Sequence, residues 1–114
     1  MFDFEKLDVY KKSKTLHSNI RKLIVNYKLD RTTANQLSRA SLSISLNIAE
    51  GTGRFTNPDR RNFYIIARSS AFEVLAILDI LHDEEILQSD EFKNLYAEIE
   101  EISKMLFALI KRLG

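Results

Sequence analysis

The sequence predicts an all-α fold, an antiparallel up-down-up-down four-helix bundle, and three observations carry that expectation. Apolar residues recur in steps of three and four along almost the whole chain. Only three Gly and one Pro interrupt the pattern, and they fall where helices would stop or start. The connections between the periodic segments are short, so successive helices must lie antiparallel beside one another. With 114 residues, residues 1–114 form a single domain whose core needs no staple.

The first helix, about 4–28, follows the seam Val9, Ser13, Leu16, Ile20, Leu23 and Tyr27. The second, about 33–50, follows Leu37, Ser41, Ile44 and Ile48. Thr33 with Gln36 has the form of a capping box, and Gly51 can take the left-handed conformation that ends a helix. Asn57-Pro58 reads as the N-cap and first turn of a third helix, about 58–82, on Phe63, Ala67, Ser70, Val74, Ile77 and Leu81. Ser89 can cap the fourth, about 90–113, on Phe92, Leu95, Ile99, Ile102, Leu106, Leu109 and Leu113, with Gly114 at its C-terminal cap. This near-heptad rule is that of helices packed at a shallow angle.

Two of the helices are apolar on a second side. The third carries Ile65, Phe72, Leu75 and Ala76 away from its seam, and the second carries Leu42, Leu46 and Ala49. The fourth has Lys93, Asn94, Glu101, Lys104 and Arg112 there, as a solvated helix should. Large exposed apolar patches are rare on monomers, so Leu42, Leu46, Ile65, Phe72 and Leu75 are expected to form a self-association interface. The competing reading packs them under loops or the N-terminal segment.

The composition, 45% hydrophobic and 29% charged, is that of an ordinary globular protein rather than a disordered chain. Absence of cysteine excludes disulfides and thiolate metal sites, which fits a cytoplasmic protein. The N-terminus alternates charged and apolar residues, unlike a signal peptide. No apolar run approaches the roughly 20 residues of a membrane span. Residues 1–70 carry 13 Lys/Arg against 6 Asp/Glu, and residues 71–114 carry 4 against 10. Such a split either offers a basic surface to a polyanion or is neutralised across the bundle.

At 100° per residue, Lys11, Lys14, Arg21, Lys22 and Lys28 share about a third of the first helix's circumference, opposite its seam. Cations on one stripe can neutralise successive phosphates. A second group, Arg54, Arg60 and Arg61, surrounds the turn before the third helix, whose free amides also favour an anion. Phe55 and Tyr64 lie near that turn, either to stack on a base or as core.

Catalytic patterns are missing. His17 and His82 have no Arg four to six residues before them, no Glu-x-x-His pair is present, and Asp79-x-x-His82 occurs once, at a helix end. Zinc-ligand spacings and phosphate-binding glycine loops are absent. No metal, cofactor or enzymatic activity is expected. Asn47 and Glu50, with Gly51, read as a helix terminus, bonded to nearby backbone or to Arg39, Arg54 or Arg68.

The run Gln36-Leu37-Ser38-Arg39-Ala40-Ser41-Leu42-Ser43-Ile44-Ser45-Leu46-Asn47-Ile48-Ala49-Glu50-Gly51, followed by Arg54, resembles the signature of the four helix bundle protein family. That family is encoded in intervening sequences of bacterial 23S ribosomal RNA genes and is often labelled ribosomal. The chain is also similar to the accessory variability protein of diversity-generating retroelements. The likeness continues through Phe63, Ile66-Ala67-Arg68-Ser69-Ser70, Glu73, Glu98-Ile99-Glu100-Glu101-Ile102 and Met105-Leu106. Ser38-Arg39 stands where members often have Arg-Arg, and Ser69-Ser70 where they have Gly-Ser. The resemblance implies a ring-like homopentamer without enzymatic activity. In the retroelement relatives it implies a basic surface engaging RNA or DNA and a reverse transcriptase. The expected function is therefore a non-enzymatic oligomeric bundle binding structured RNA or a nucleic-acid-handling partner. The alternative is a protein-interaction scaffold that binds no nucleic acid.

Overall fold

A computed structural model describes residues 1–114. After a 3₁₀ turn at Asp3–Lys6, four helices follow: α1 (Asp8–Asn26), α2 (Arg31–Thr52), α3 (Asn57–Asp83) and α4 (Ser89–Leu113). They form a rod of 44 × 23 × 21 Å. Each helix packs on two others in the ring order α1-α2-α3-α4, and the diagonal pairs α1/α3 and α2/α4 make no close backbone approach. Cross-helix partners run in opposite directions at every seam. Ser13 meets Ser45 while His17 meets Ser41, Ser43 meets Ser70 while Thr52 meets Tyr64, and Lys12 meets Glu101 while Asn19 meets Glu98. Arg68 stacks near Phe107 while His82 stacks on Phe92. The bundle is antiparallel throughout, as its short connections require.

The periodic residues build the core. Leu16, Ile20, Leu37, Ile44, Ile48, Val74 and Leu106 are fully buried. On α3 the buried face sits one residue further round than the predicted seam: Tyr64, Ala71 and Leu78 are buried, whereas Phe63 and Ile77 are half-buried. Small side chains face one another between α2 and the helices beside it. Ser13 and Ser45, both buried, share a hydrogen bond of 2.8 Å.

Helix ends differ from the expected ones, and each difference has a local cause. α1 spans less than 4–28 because Leu7 is extended and Lys28 is left-handed at φ 49°. There the Leu29 amide donates to the Ile24 carbonyl, closing the terminus. Asp30, not Thr33, caps α2, its carboxylate accepting from the Thr33 amide at 3.0 Å. Thr56, not Asn57, caps α3 by accepting from the Asp59 amide at 3.3 Å. Gln88 precedes α4 with no side-chain cap, and Ser89 Oγ lies 3.1 Å from His82 Nε2 instead.

Gly51 does not end α2. It lies inside the helix, buried, and no glycine in the chain has a positive φ. A Cβ there would sit 2.9 Å from Phe63 Cβ and 3.0 Å from Tyr64 Cε1. Glycine at this position lets α2 and α3 approach closely where they diverge into their turn.

Candidate nucleic-acid and assembly surfaces

The outward face of α1 carries Lys11, Lys14, Arg21 and Lys22, all exposed, and Lys28 follows just beyond the helix. None of the five makes an ion pair. The structure holds only four, Lys6–Asp3, Lys12–Glu101, Arg54–Glu50 and Lys104–Glu100. Of these, Lys12–Glu101 alone joins the basic and acidic halves of the sequence, and the Glu101 hydrogen bond raises the Lys12 pKa. The two halves therefore do not cancel pairwise across the bundle. Along the long axis, the carboxylates of the turn Asp83-Glu84-Glu85 and of Asp90-Glu91 lie at the end shared with Lys28, whereas Arg54, Arg60, Lys111 and Arg112 lie at the other.

His17 sits at the edge of the stripe, with Nδ1 2.7 Å from Ser41 Oγ on α2. Burial lowers its pKa below the usual value, and nearby Arg21 lowers it further. The ring therefore favours the neutral form.

The turn arginines are held differently. Arg54 Nη2 donates to Glu50 at 3.0 Å, and its guanidinium covers the Phe63 ring at 4.6 Å. Arg60 Nε donates to the Arg54 carbonyl at 2.6 Å. Arg60 and Arg61 belong to α3, diagonal to α1, so they do not extend the α1 stripe. The two aromatic residues of that turn part company. Tyr64 is buried with its hydroxyl 2.7 Å from Thr52 Oγ1, and Phe55 stands fully in solvent. Glu50 is satisfied by Arg54, and Asn47 donates to the Ser43 carbonyl at 2.8 Å. Asn47, Glu50 and Gly51 thus serve the end of α2 and its contact with α3.

The expected interface residues separate into two kinds. Leu42, Leu46, Ile65 and Phe72 are exposed, the last at 53%. Leu75 is half-buried and packs on the core. Sequence reasoning missed two further exposed aromatic residues on this side. Tyr96 and Phe107 of α4 are exposed beside α3, on a helix whose charged residues suggest solvent all along its outer side. Eleven residues apart, they share one helical flank, and that spacing was the available signal. Two shallow grooves result. One, between α2 and α3, is lined by Arg39, Leu42, Leu46, Asn47 and Glu73. The other, between α3 and α4, is lined by Arg61, Ile65, Arg68, Phe72, Phe107 and Ile110.

No three His, Asp or Glu side chains are placed to hold a metal ion, and no helix is long and apolar enough to cross a membrane. The fold and its faces define a small antiparallel helical bundle with a cationic helix on one side and an apolar face on the other. The chain belongs to the 23S rRNA-intervening sequence protein family, which it matches over residues 5–108. It is similar to the crystal structure of a protein of unknown function from the S23 ribosomal protein family of Bacteroides thetaiotaomicron VPI-5482. The two are 27% identical with a TM-score of 0.84, over 90% of this chain and 98% of that one. None of the curated proteins compared matches the chain.

Proposed function

We propose that this chain is a non-enzymatic, self-associating bundle of the cytoplasm that binds structured RNA through the outward face of α1. The observation that carries the reading is the unpaired stripe Lys11, Lys14, Arg21 and Lys22, with Lys28 beyond it. Between Lys11 and Lys28 the chain advances by about 25 Å, enough to follow several phosphates. Self-association is supported by the exposed apolar residues of α2, α3 and α4, a face that a monomer would leave in water. The family resemblance sets the expected number of copies at five.

The test is fluorescence anisotropy of a labelled structured RNA titrated with protein at several salt concentrations. Four or five phosphate contacts predict an affinity that falls roughly 150- to 500-fold between 50 and 200 mM salt. Changing Lys11, Lys14, Arg21 and Lys22 to Glu should abolish binding while leaving the assembly intact. Flat anisotropy at low salt would overturn the RNA reading and favour a scaffold for a protein partner such as a reverse transcriptase.

A further inference from the structure

The α3–α4 groove contains a cation without a carboxylate partner. Arg68 lies with its guanidinium carbon 4.7 Å from the centre of the Phe72 ring and 5.4 Å from that of Phe107. Its Nε is buried and has no hydrogen-bond partner, and no carboxylate lies within ion-pair distance. Buried donors of this kind are nearly always satisfied, and an orphaned one calls for a missing acceptor. Two aromatic rings hold the planar group in place, so the acceptor must come from outside the groove.

A complementary surface lies on the other flank of α3. Glu73 is exposed and makes no ion pair, and it borders the groove that contains Leu42 and Leu46. Arg39 lines the same groove without reaching it. Five residues of helix separate Arg68 from Glu73, which places them about 140° apart around α3. One therefore faces α4 and the other faces α2.

We infer that copies of this chain dock head to tail. The Leu42–Leu46–Glu73 surface of one copy seats in the Ile65–Phe72–Phe107 groove of the next, and Glu73 supplies the carboxylate that Arg68 lacks. The inference rests on the self-association proposed above and adds which surfaces meet. A twofold pairing that sets α3 antiparallel to its partner α3 does not satisfy the same charges. Antiparallel helices related by a twofold axis meet like flank to like flank, so Arg68 would face the partner's arginine flank and Glu73 the partner's acidic one. A parallel twofold pair would bring the two charges together but stops at two copies, whereas the head-to-tail contact repeats until it closes a ring or extends as a filament. A wild type that stops at two copies overturns the head-to-tail arrangement.

The experiment is light scattering with size-exclusion chromatography on the wild-type chain, R68E, E73R and an equimolar mixture of the two variants, with helicity checked by circular dichroism. The wild type is expected to be oligomeric, and each single variant should associate roughly 30-fold more weakly or worse. The mixture should recover association into alternating assemblies, though not into a closed ring of five, which two alternating variants cannot form. The carboxylate introduced by R68E then meets the guanidinium introduced by E73R, while the second type of contact keeps the native pair. Recovery by mixing cannot arise from a contact within one chain. An oligomeric wild type with both variants unchanged would overturn the pairing and leave self-association standing. Variants that dissociate without recovery on mixing would likewise overturn it. A monomeric wild type would overturn both.

Discussion

Replacing Gly51 with alanine opposes two effects of known sign, and the contact geometry decides between them. Within a helix, alanine is favoured over glycine by about 0.5–1 kcal/mol through backbone entropy. Gly51 is inside α2, so propensity alone predicts a more stable protein. The new Cβ, however, would stand 2.9 Å from Phe63 Cβ, 3.0 Å from Tyr64 Cε1 and 3.2 Å from the Arg60 carbonyl oxygen. Two of these atoms are tied to the α3 backbone and cannot swing aside, so the helices themselves must separate by several tenths of an ångström. Overpacking of this kind costs about 1–3 kcal/mol. Subtracting the propensity gain leaves a net loss of up to about 2.5 kcal/mol, centred near 1, or a Tm lower by roughly 5 °C in a domain of this size. Urea denaturation followed by circular dichroism measures it. Gly53→Ala is the internal control: its Cβ would meet only the Ala49 and Glu50 carbonyl oxygens at 3.6 Å, and its φ of −83° suits any residue. That variant should be unchanged or stabilised by up to about 1 kcal/mol. A G51A protein as stable as the wild type would refute the close-approach account of this glycine. Equal losses at both positions would refute it too, by pointing to the helix end rather than the contact.

Two further substitutions probe the α1–α2 seam. Ser13 Oγ donates to the Tyr10 carbonyl at 2.7 Å, so Ser45 must be the donor in the bond between the two hydroxyls. Ser13→Ala then orphans a buried hydroxyl at about 1–2 kcal/mol, whereas Ser45→Ala leaves Ser13 satisfied and should cost less than about 1 kcal/mol. Urea midpoints of the two singles and the double give the coupling, and equal, additive losses would refute the assignment. His17 makes stability depend on pH. Its folded-state pKa lies below the ordinary 6.5, so the unfolded chain binds the proton more readily, and stability declines as pH falls through about 6.5. His17→Gln should flatten the dependence of the urea midpoint between pH 7.5 and 5.5, and an unchanged slope would assign it to other groups.

The bundle was legible because one rule, the three-and-four spacing, held in four segments, and the residues that obey it are those that tertiary packing buries. Its limits were legible less well. Asp30 and Thr56 cap helices ahead of the more conspicuous Thr33-x-x-Gln36 and Asn57-Pro58 signals, because a cap is decided by which side chain reaches a free amide. Gly51 has the look of a helix terminator, and only the position of α3 shows that it is a point of close contact. The basic stripe could be read from angles on a single helix. Arg68 could not, since its isolation depends on Phe72 one turn along α3 and Phe107 on another helix, with no carboxylate placed between them. Phe107 itself was hidden in the apolar run Met105-Leu106-Phe107-Ala108-Leu109-Ile110, where the seam residues Leu106 and Leu109 account for the hydrophobicity.

The arrangement of faces has a consequence that neither face has alone. α1 lies diagonal to α3 and makes no close backbone approach to it, so docking through the outward side of α3 leaves every α1 stripe uncovered. Head-to-tail contact would therefore repeat the stripe once per copy around one assembly. A single stripe offers four or five cations, and such a surface binds weakly at physiological salt. Several stripes held at fixed spacing convert later contacts with the same RNA into intramolecular ones, raising affinity without a new kind of contact. The benefit is lost where the RNA is too short to span two stripes. In such an assembly the apolar face would set how many copies meet an RNA, and the basic face would set what ligand they meet.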